Sequence, residues 1–448
     1  LRTVPTGAVF VFITSIRGDS TPFDLNGRTT LSLLKFLAGG EILYGKEYLK
    51  NKLSQKKVRI NARYRYYDMK NHVEQAGKMM PDEFRWISQS LGWCAKAVDS
   101  LSDRIVFDCF DRDSYELNEI YSLNNPDILH DSAVLSALIS SCSFIYIGID
   151  ENNYPKLQVI DGGNATGDID TATNMLTEGY AVIERDKHGN PTLEAYFQPF
   201  RTEYFSGGKT VQIFEHKAPY ALLVPVIFRP DAKRPFGHSR ISRTCMNVTQ
   251  AVLRTMQRME VSAEFYSVPQ KYVLGLSESS EFNGKRALYS NFLSFTKDEE
   301  GDKPVLGQFS QQSMSPYSEQ LRTLASIFAG ETGLTLDDLG FATANPASCD
   351  AIRASHENLR LTAKKAQRSF GTGFLNAGYL SACVRDGFEY QRKAFVQTRC
   401  IWNPVFEPDA TALSGIGDAI LKINQACPDF LGTKNLKQLT GLEGENDG

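Results

Sequence analysis

The sequence predicts an α+β fold, and three observations carry that prediction. The first 235 residues alternate helical periodicity with short apolar runs, one narrow apolar stripe extends from Arg240 to Tyr266, and turn-punctuated β segments interrupt the second half at Ser267 to Gln312. With 448 residues the chain has room for roughly three domains at about 150 residues each. Its 42% hydrophobic and 23% charged residues are an ordinary globular balance, which excludes disorder for the bulk of the chain.

Along the chain, the run Ala8 to Ile13 reads as an edge strand or an unstructured arm. Residues 81 to 101 read as a helix, with Pro81, Asp82 and Glu83 in its first turn and apolar residues at Phe84, Ile87, Leu91, Cys94, Val98 and Leu101. A strand over Arg104 to Phe110 follows. A helical region holding Leu129, Ala133, Leu135, Leu138 and Ile139 then passes into Phe144 to Gly148, apolar enough for a central strand. From Tyr180 to His216, short β segments with turns at Lys187 to Pro191 and Gly207-Gly208 predict an antiparallel meander.

In the second half, Ile241, Cys245, Val248, Val252, Met256, Met259, Ala263 and Tyr266 recur at helical spacing on one long helix, with Arg240, Arg243, Arg254 and Arg258 on its other faces. So narrow a stripe is expected to lean on similar helices in a bundle or a ring. Short strands, Gln270 to Leu274, Asn291 to Thr296 and Val305 to Phe309, come next. A second amphipathic helix opens at Ser315-Pro316 and stops at Gly330 or Gly333. Leu334 to Ala347 reads as a mobile acidic loop. A very long helix from Ser348 to about Arg392 is expected to kink near its glycines at 371, 373, 378 and 387. A strand at Thr398 to Phe406 and a helical tail from Asp409 complete the chain.

Charge argues against a basic nucleic-acid glue: 49 Lys and Arg against 52 Asp and Glu give a net charge of -3, so any contact with DNA is expected to be loose or local. The eight cysteines contain no CxxC and read as buried reduced thiols in a reducing cytoplasm, Cys245 and Cys383 among them. No run approaches the ~20 apolar residues of a membrane span. Gly207-Gly208-Lys209-Thr210 ends like a P-loop, but Glu203 stands where the first glycine belongs. Asp161 to Asp168 reads as a surface loop, because Ala172 occupies the place of the bidentate glutamate of a calcium loop. The six histidines show no metal spacing and no GxSxG elbow is present, so no metal, cofactor or catalytic residue is predicted.

Several motifs follow one another in an order that resembles the portal proteins of tailed bacteriophages, the siphophage type. They are Tyr66-Tyr67-Asp68 with Asn71-His72, Val98 to Ile105, Asn124 to Asp127, Pro225-Val226 followed by Phe236 to Ile241, Val268 to Gly275, Pro304 to Phe309, Ala347 to Arg353 and Trp402-Asn403-Pro404. The resemblance covers about Leu33 to Thr440, and Cys349 departs from the small residue common in the family.

The resemblance implies an N-terminal arm over 1–30, a mixed α/β wing over 31–235, a stem helix over 236–266, and a small β-containing clip over 267–314 that includes Lys271, Tyr272, Lys285 and Arg286. It further implies a returning stem helix over 315–332, a tunnel loop over 333–347, the long kinked helix with a wing strand over 348–408, and a short helical crown with the tail over 409–448. The family forms a ring of about twelve copies, a closed symmetric assembly, at one capsid vertex through which double-stranded DNA passes without sequence preference.

On that footing the stripe Ile241, Cys245, Val248, Val252, Met256 and Met259 would contact neighbouring copies, and Arg240, Arg243, Arg254 and Arg258 would pair with acids of the next copy in preference to lining the channel. Thr335, Leu336, Asp337, Asp338, Phe341, Thr343 and Asn345 would face DNA. The implied partners are the large terminase subunit, the head-completion adaptor, the major capsid protein and the scaffold, with no membrane; assembly would take place in the host cytoplasm and end in the virion. The competing readings are a nucleic-acid or nucleotide-processing enzyme with a dispersed site on the α/β half, and another virion connector protein.

Overall fold

The computed structural model describes residues 43–70, 87–267, 271–274, 305–308, 313–341, 352, 354–406, 408, 410–428 and 430–440. They fall into two compact units, Leu1–Gly45 and Lys46–Gly448; residues 43–45 of the first carry no helix or strand, and every element below belongs to the second.

Helix α1 (Lys46–Tyr67) buries Leu49, Leu53, Ile60 and Tyr66. Helix α2 is Trp93–Ser102, shorter than the 81–101 expected: Gly92, a poor helix former, stands at its N-cap, and residues 87–92 are not helical. Pro81 to Trp86 lie outside the described residues. Strand β1 (Phe107–Asp111), helix α3 (Leu117–Ser122) and helix α4 (Pro126–Ser140) follow, α4 with a proline in its first turn.

Strand β2 (Cys142–Ile149) is apolar at nearly every position because neither of its faces meets solvent. It is the middle strand of an antiparallel sheet between β3 (Pro155–Asp161) and β9 (Leu223–Ile227).

The meander forms a second sheet of β4 (Ala165–Ile169), β5 (Leu176–Arg185), β6 (Pro191–Gln198), β7 (Arg201–Ser206) and β8 (Lys209–Glu215), all antiparallel and in chain order. Gly207 and Gly208, at φ 57° and 79°, make the two-residue turn joining β7 to β8. The P-loop look-alike is therefore a hairpin. Asp161 likewise closes the turn after β3, accepting from the Gly163 amide at 2.6 Å and the Asn164 side chain at 2.5 Å.

The second half contains α5 (Arg243–Ser267), the paired strands β10 (Lys271–Leu274) and β11 (Val305–Gln308), α6 (Ser315–Thr332), a 3-10 turn at Asp337–Leu339, and α7 (Glu357–Arg385). Strand β12 (Arg399–Trp402) returns to pair with β1, and α8 (Ala410–Ala426) and α9 (Thr433–Thr440) end the described chain. Asn291 to Thr296 lies outside the described residues.

The α7 helix runs unbroken for 29 residues, and its glycines serve close packing. A Cβ on Gly373 would lie 3.0 Å from the Pro225 carbonyl oxygen of β9, and one on Gly378 would lie 2.9 Å from Leu117. One large core joins both halves, running from Trp93 and Phe144 through Ile241 and Phe328 to Phe374 and Phe395. A smaller one lies under α1, formed by Leu49, Leu53, Tyr180, Val182, Tyr196 and Phe205.

Candidate functional site

Helices α5 and α6 pack against each other and run antiparallel. At one end of the pair Ser242 donates to Glu331 at 2.7 Å, and at the other the hydroxyls of Ser262 and Tyr317 meet at 3.0 Å. The twenty residues between those serines span about 30 Å of helix. In chain order β10 follows α5 and β11 precedes α6, so the β10–β11 pair belongs to the segment between the two helices.

Burial along this pair corrects the expectation that a bare apolar stripe awaits a neighbour. Ile241 and Val252 are each 1% exposed, and Cys245, Val248 and Leu253 are also buried, all within the chain's own core. Met256 packs at the margin of that core and Met259 is half-buried. Gln250 and Gln257, polar in sequence, are buried because each has a partner: Gln250 donates to the Tyr66 hydroxyl at 3.1 Å and Gln257 to the Ile87 carbonyl at 3.2 Å. Beyond Met259 the helix is half-buried or exposed.

Arg240 is a second correction. Expected on a polar helix face, it precedes the helix and is 8% exposed. The Ser242 hydroxyl accepts from the Cys245 amide at 3.2 Å, the N-cap arrangement, which leaves Arg240 and Ile241 outside α5. The guanidinium donates to the Ala97 carbonyl of α2 at 3.2 Å and to the Thr332 carbonyl that ends α6. Burial pulls its pKa down to about 10. A cation on the final carbonyls of a helix meets the negative end of the helix dipole. Arg243 and Arg258 are exposed and Arg254 is half-buried.

The segment after α6 is folded onto the core in its described half, where mobility was expected. Gly333, at φ 69°, turns the chain out of α6. Leu334 and Leu339 are buried, Leu336 is half-buried, and the Phe341 ring packs edge-on against Trp93 at 6.3 Å. Asp338 is occupied locally: its carboxylate accepts from the Thr335 amide and hydroxyl, each at 2.9 Å, while its own amide donates to the Thr335 hydroxyl at 3.2 Å. Of the acidic pair, Asp337 is the one exposed. Thr343 and Asn345 lie outside the described residues.

In the β10–β11 pair, Lys271 sits opposite Gln308, and the Tyr272 ring lies over Gly307 on the partner strand. Tyr272, Leu274, Val305 and Leu306 are exposed, an apolar surface that the sequence pattern did not mark out. Lys285 and Arg286 lie outside the described residues.

Several groups able to do proton chemistry are buried. His130 lies among the rings of Phe107, Tyr121 and Phe374, and burial lowers its pKa to about 4. His216 is lowered to about 4 for the same reason and borders a cleft of about 760 Å3 that Arg201, Lys217 and Glu389 also line. The buried carboxylates Glu178 and Glu194 accept from Tyr196 at 2.7 Å and from Tyr180 across the meander sheet. Among the described residues no group of three His, Cys, Asp or Glu is placed to hold a metal ion, and no helix is long and apolar enough to cross a membrane.

No family model matches the chain. It is similar to the portal protein of Mycobacterium phage L5, 25% identical over 395 residues, which is 82% of this chain and 80% of the relative. It is also similar to the portal protein of Mycobacterium phage D29, 25% identical over 399 residues, 82% of this chain and 81% of the relative. Among solved structures it resembles a chain of the virion of a native gene transfer agent particle, with TM-score 0.41 and 13% identity over 79% of this chain and 90% of that one. A chain from the neck of an empty particle of the same kind gives TM-score 0.41 and 12% identity over the same shares.

Proposed function

We propose that this chain is a phage portal subunit, about twelve copies of which form a closed ring at one capsid vertex around a passage for double-stranded DNA. The observation that carries the reading is its similarity to two portal proteins along 82% of its length. The antiparallel pair α5–α6, with β10–β11 in the segment between the two helices, suits a stem and clip. On this reading the clip, with Lys271, Tyr272, Lys285 and Arg286, meets the large terminase subunit during packaging and the head-completion adaptor afterwards. The major capsid protein and the scaffold are the chain's further partners while the particle assembles in the host cytoplasm.

A conduit must let its cargo slide. Each phosphate neutralised by a fixed cation adds affinity, so the lining works best with few cations and some negative charge. Exposed Asp337 supplies that repulsion, while Asp338 holds the turn, and Thr343 and Asn345 follow on the same DNA-facing loop. The chain has no catalytic part in this scheme; nucleotide hydrolysis falls to the packaging motor, and no cofactor is needed.

Native mass spectrometry with negative-stain imaging of the purified chain tests the reading. The expected result is a ring of about a dozen copies, a closed symmetric assembly, with an open centre in top view. A monomer, or a small oligomer without an opening, refutes it.

A further inference from the structure

Two surfaces of opposite charge stand at opposite ends of helix α4, about 20 Å apart at ~1.5 Å per residue. At its C-terminal end Arg63 of α1 donates to the Ser140 carbonyl at 3.4 Å. Burial, and then the charges of Arg59, Arg234 and Arg243 nearby, hold the Arg63 guanidinium below its ordinary range. Lys52 and Lys56 continue the row, their ammonium groups 5.7 and 4.5 Å from the centre of the Phe236 ring.

Spacings of four, three and four place Lys52, Lys56, Arg59 and Arg63 along one face of α1. Among the described residues, Lys52 alone of these six cations has a carboxylate partner, Asp168 at 3.3 Å. Arg59, Arg234 and Arg243 are the exposed members of this cationic group, while Lys52, Lys56 and Arg63 are half-buried.

At the N-terminal end of α4, Asp127 and Asp131 are one turn apart and Asp103 closes α2. Partial burial, Asp127 and Asp103 together raise the pKa of Asp131. All three are exposed, and none forms an ion pair among the described residues. The adjacent Arg104 is engaged elsewhere, donating to the Ser100 carbonyl at 2.5 Å and lying over the Phe406 ring at 5.0 Å. Here the surface also holds bare aliphatic residues, Leu123 and Ile128, the latter 73% exposed.

We infer that the acidic surface Asp103, Asp127, Asp131 of one copy docks head to tail on the cationic surface of the next, presented by exposed Arg59 and Arg234 and backed by the half-buried Lys52, Lys56 and Arg63. The inference rests on the ring reading above. A ring built by a heterologous contact needs two different, complementary surfaces on every copy. An exposed aliphatic patch within a charged rim is the anatomy of a protein interface. A nucleic-acid backbone would match the cations alone and would leave Leu123 and Ile128 uncovered.

The test uses the full chain, with assembly followed by native mass spectrometry and sedimentation. Two double variants, Arg59→Glu with Arg234→Glu and Asp127→Lys with Asp131→Lys, each bring like charges face to face. Each is expected to raise the concentration for half-assembly by on the order of tenfold or more, and combining all four is expected to restore assembly. Should reversal disturb folding, as read by circular dichroism, the milder Arg59→Gln with Arg234→Gln moves assembly in the same direction by less.

Rings that persist unchanged in both double variants overturn the seam and leave the ring reading standing. A wild-type chain that remains monomeric overturns both. Loss of binding to a fluorescein-labelled duplex in Arg59→Glu with Arg234→Glu, while rings persist, assigns the surface to nucleic acid and overturns the seam.

Discussion

Truncating Ile241 to alanine separates a residue that serves the subunit's own core from one that serves a neighbour. Ile241 is 1% exposed within a single chain, so the whole transfer term applies. Three carbons are removed at about 0.8 kcal/mol each, or about 2.4 kcal/mol, and the cavity left behind brings the total to about 3–4 kcal/mol. The assay is urea unfolding of the unassembled subunit, read through the fluorescence of Trp93, whose ring lies 5.5 Å from Phe328 in the same core. The expected outcome is a lower midpoint with an unchanged slope. A variant whose subunit unfolds like wild type but no longer forms rings would refute the assignment and return the stripe to the interface between copies.

Two further outcomes follow from the packing. Gly373→Val places a side chain against the backbone of Pro225 and Val226, where a Cβ alone stands at 3.0 and 3.2 Å; a loss of about 1–3 kcal/mol in the same assay is expected, and an unchanged midpoint would mean that β9 yields at no expense. His130 and His216 are held neutral in the fold with pKa values lowered to about 4, against about 6.5 in the unfolded chain. Between those values the unfolded chain binds more protons. The stability they contribute is therefore full above about pH 6.5 and lost as pH falls towards 4, by roughly 3 kcal/mol each at most. His130→Phe should flatten part of that fall in an unfolding series from pH 7 to pH 4; an unaltered pH profile would show that His130 titrates no differently in the folded chain.

Local chemistry made many elements legible. The Gly207-Gly208 turn, the apolar run of β2, and the Gly333 stop after α6 each depend on residues within a few positions, and the periodicity of α5 and α6 is plain in the sequence. What was hidden depends on distant partners. The pairing of β1 with β12 joins Phe107 to Trp402. The glycines of α7 read as points of bending because nothing in their own segment reveals that Pro225 and Leu117 press against them.

The narrow stripe of α5 misled for the same reason. Periodicity shows that a face is apolar and does not say whose surface covers it. One signal for this lies in the sequence: Ser242, followed three residues later by the amide it caps, marks the start of the helix and so removes Arg240 from its polar face. The charged surfaces at the two ends of α4 were out of reach, since they gather residues from α1, α2, α4 and the approach to α5 that a net charge of -3 averages away.

The Arg240 anchor has a mechanical consequence. It clamps the last carbonyl of α6 to α2, and the turn held by Thr335 and Asp338 begins only three residues later. The fulcrum of the two-helix arm and the root of that turn are thus nearly the same point. Tilting the α5–α6 pair about that point would carry the Asp337 turn with it or break the guanidinium's hydrogen bonds.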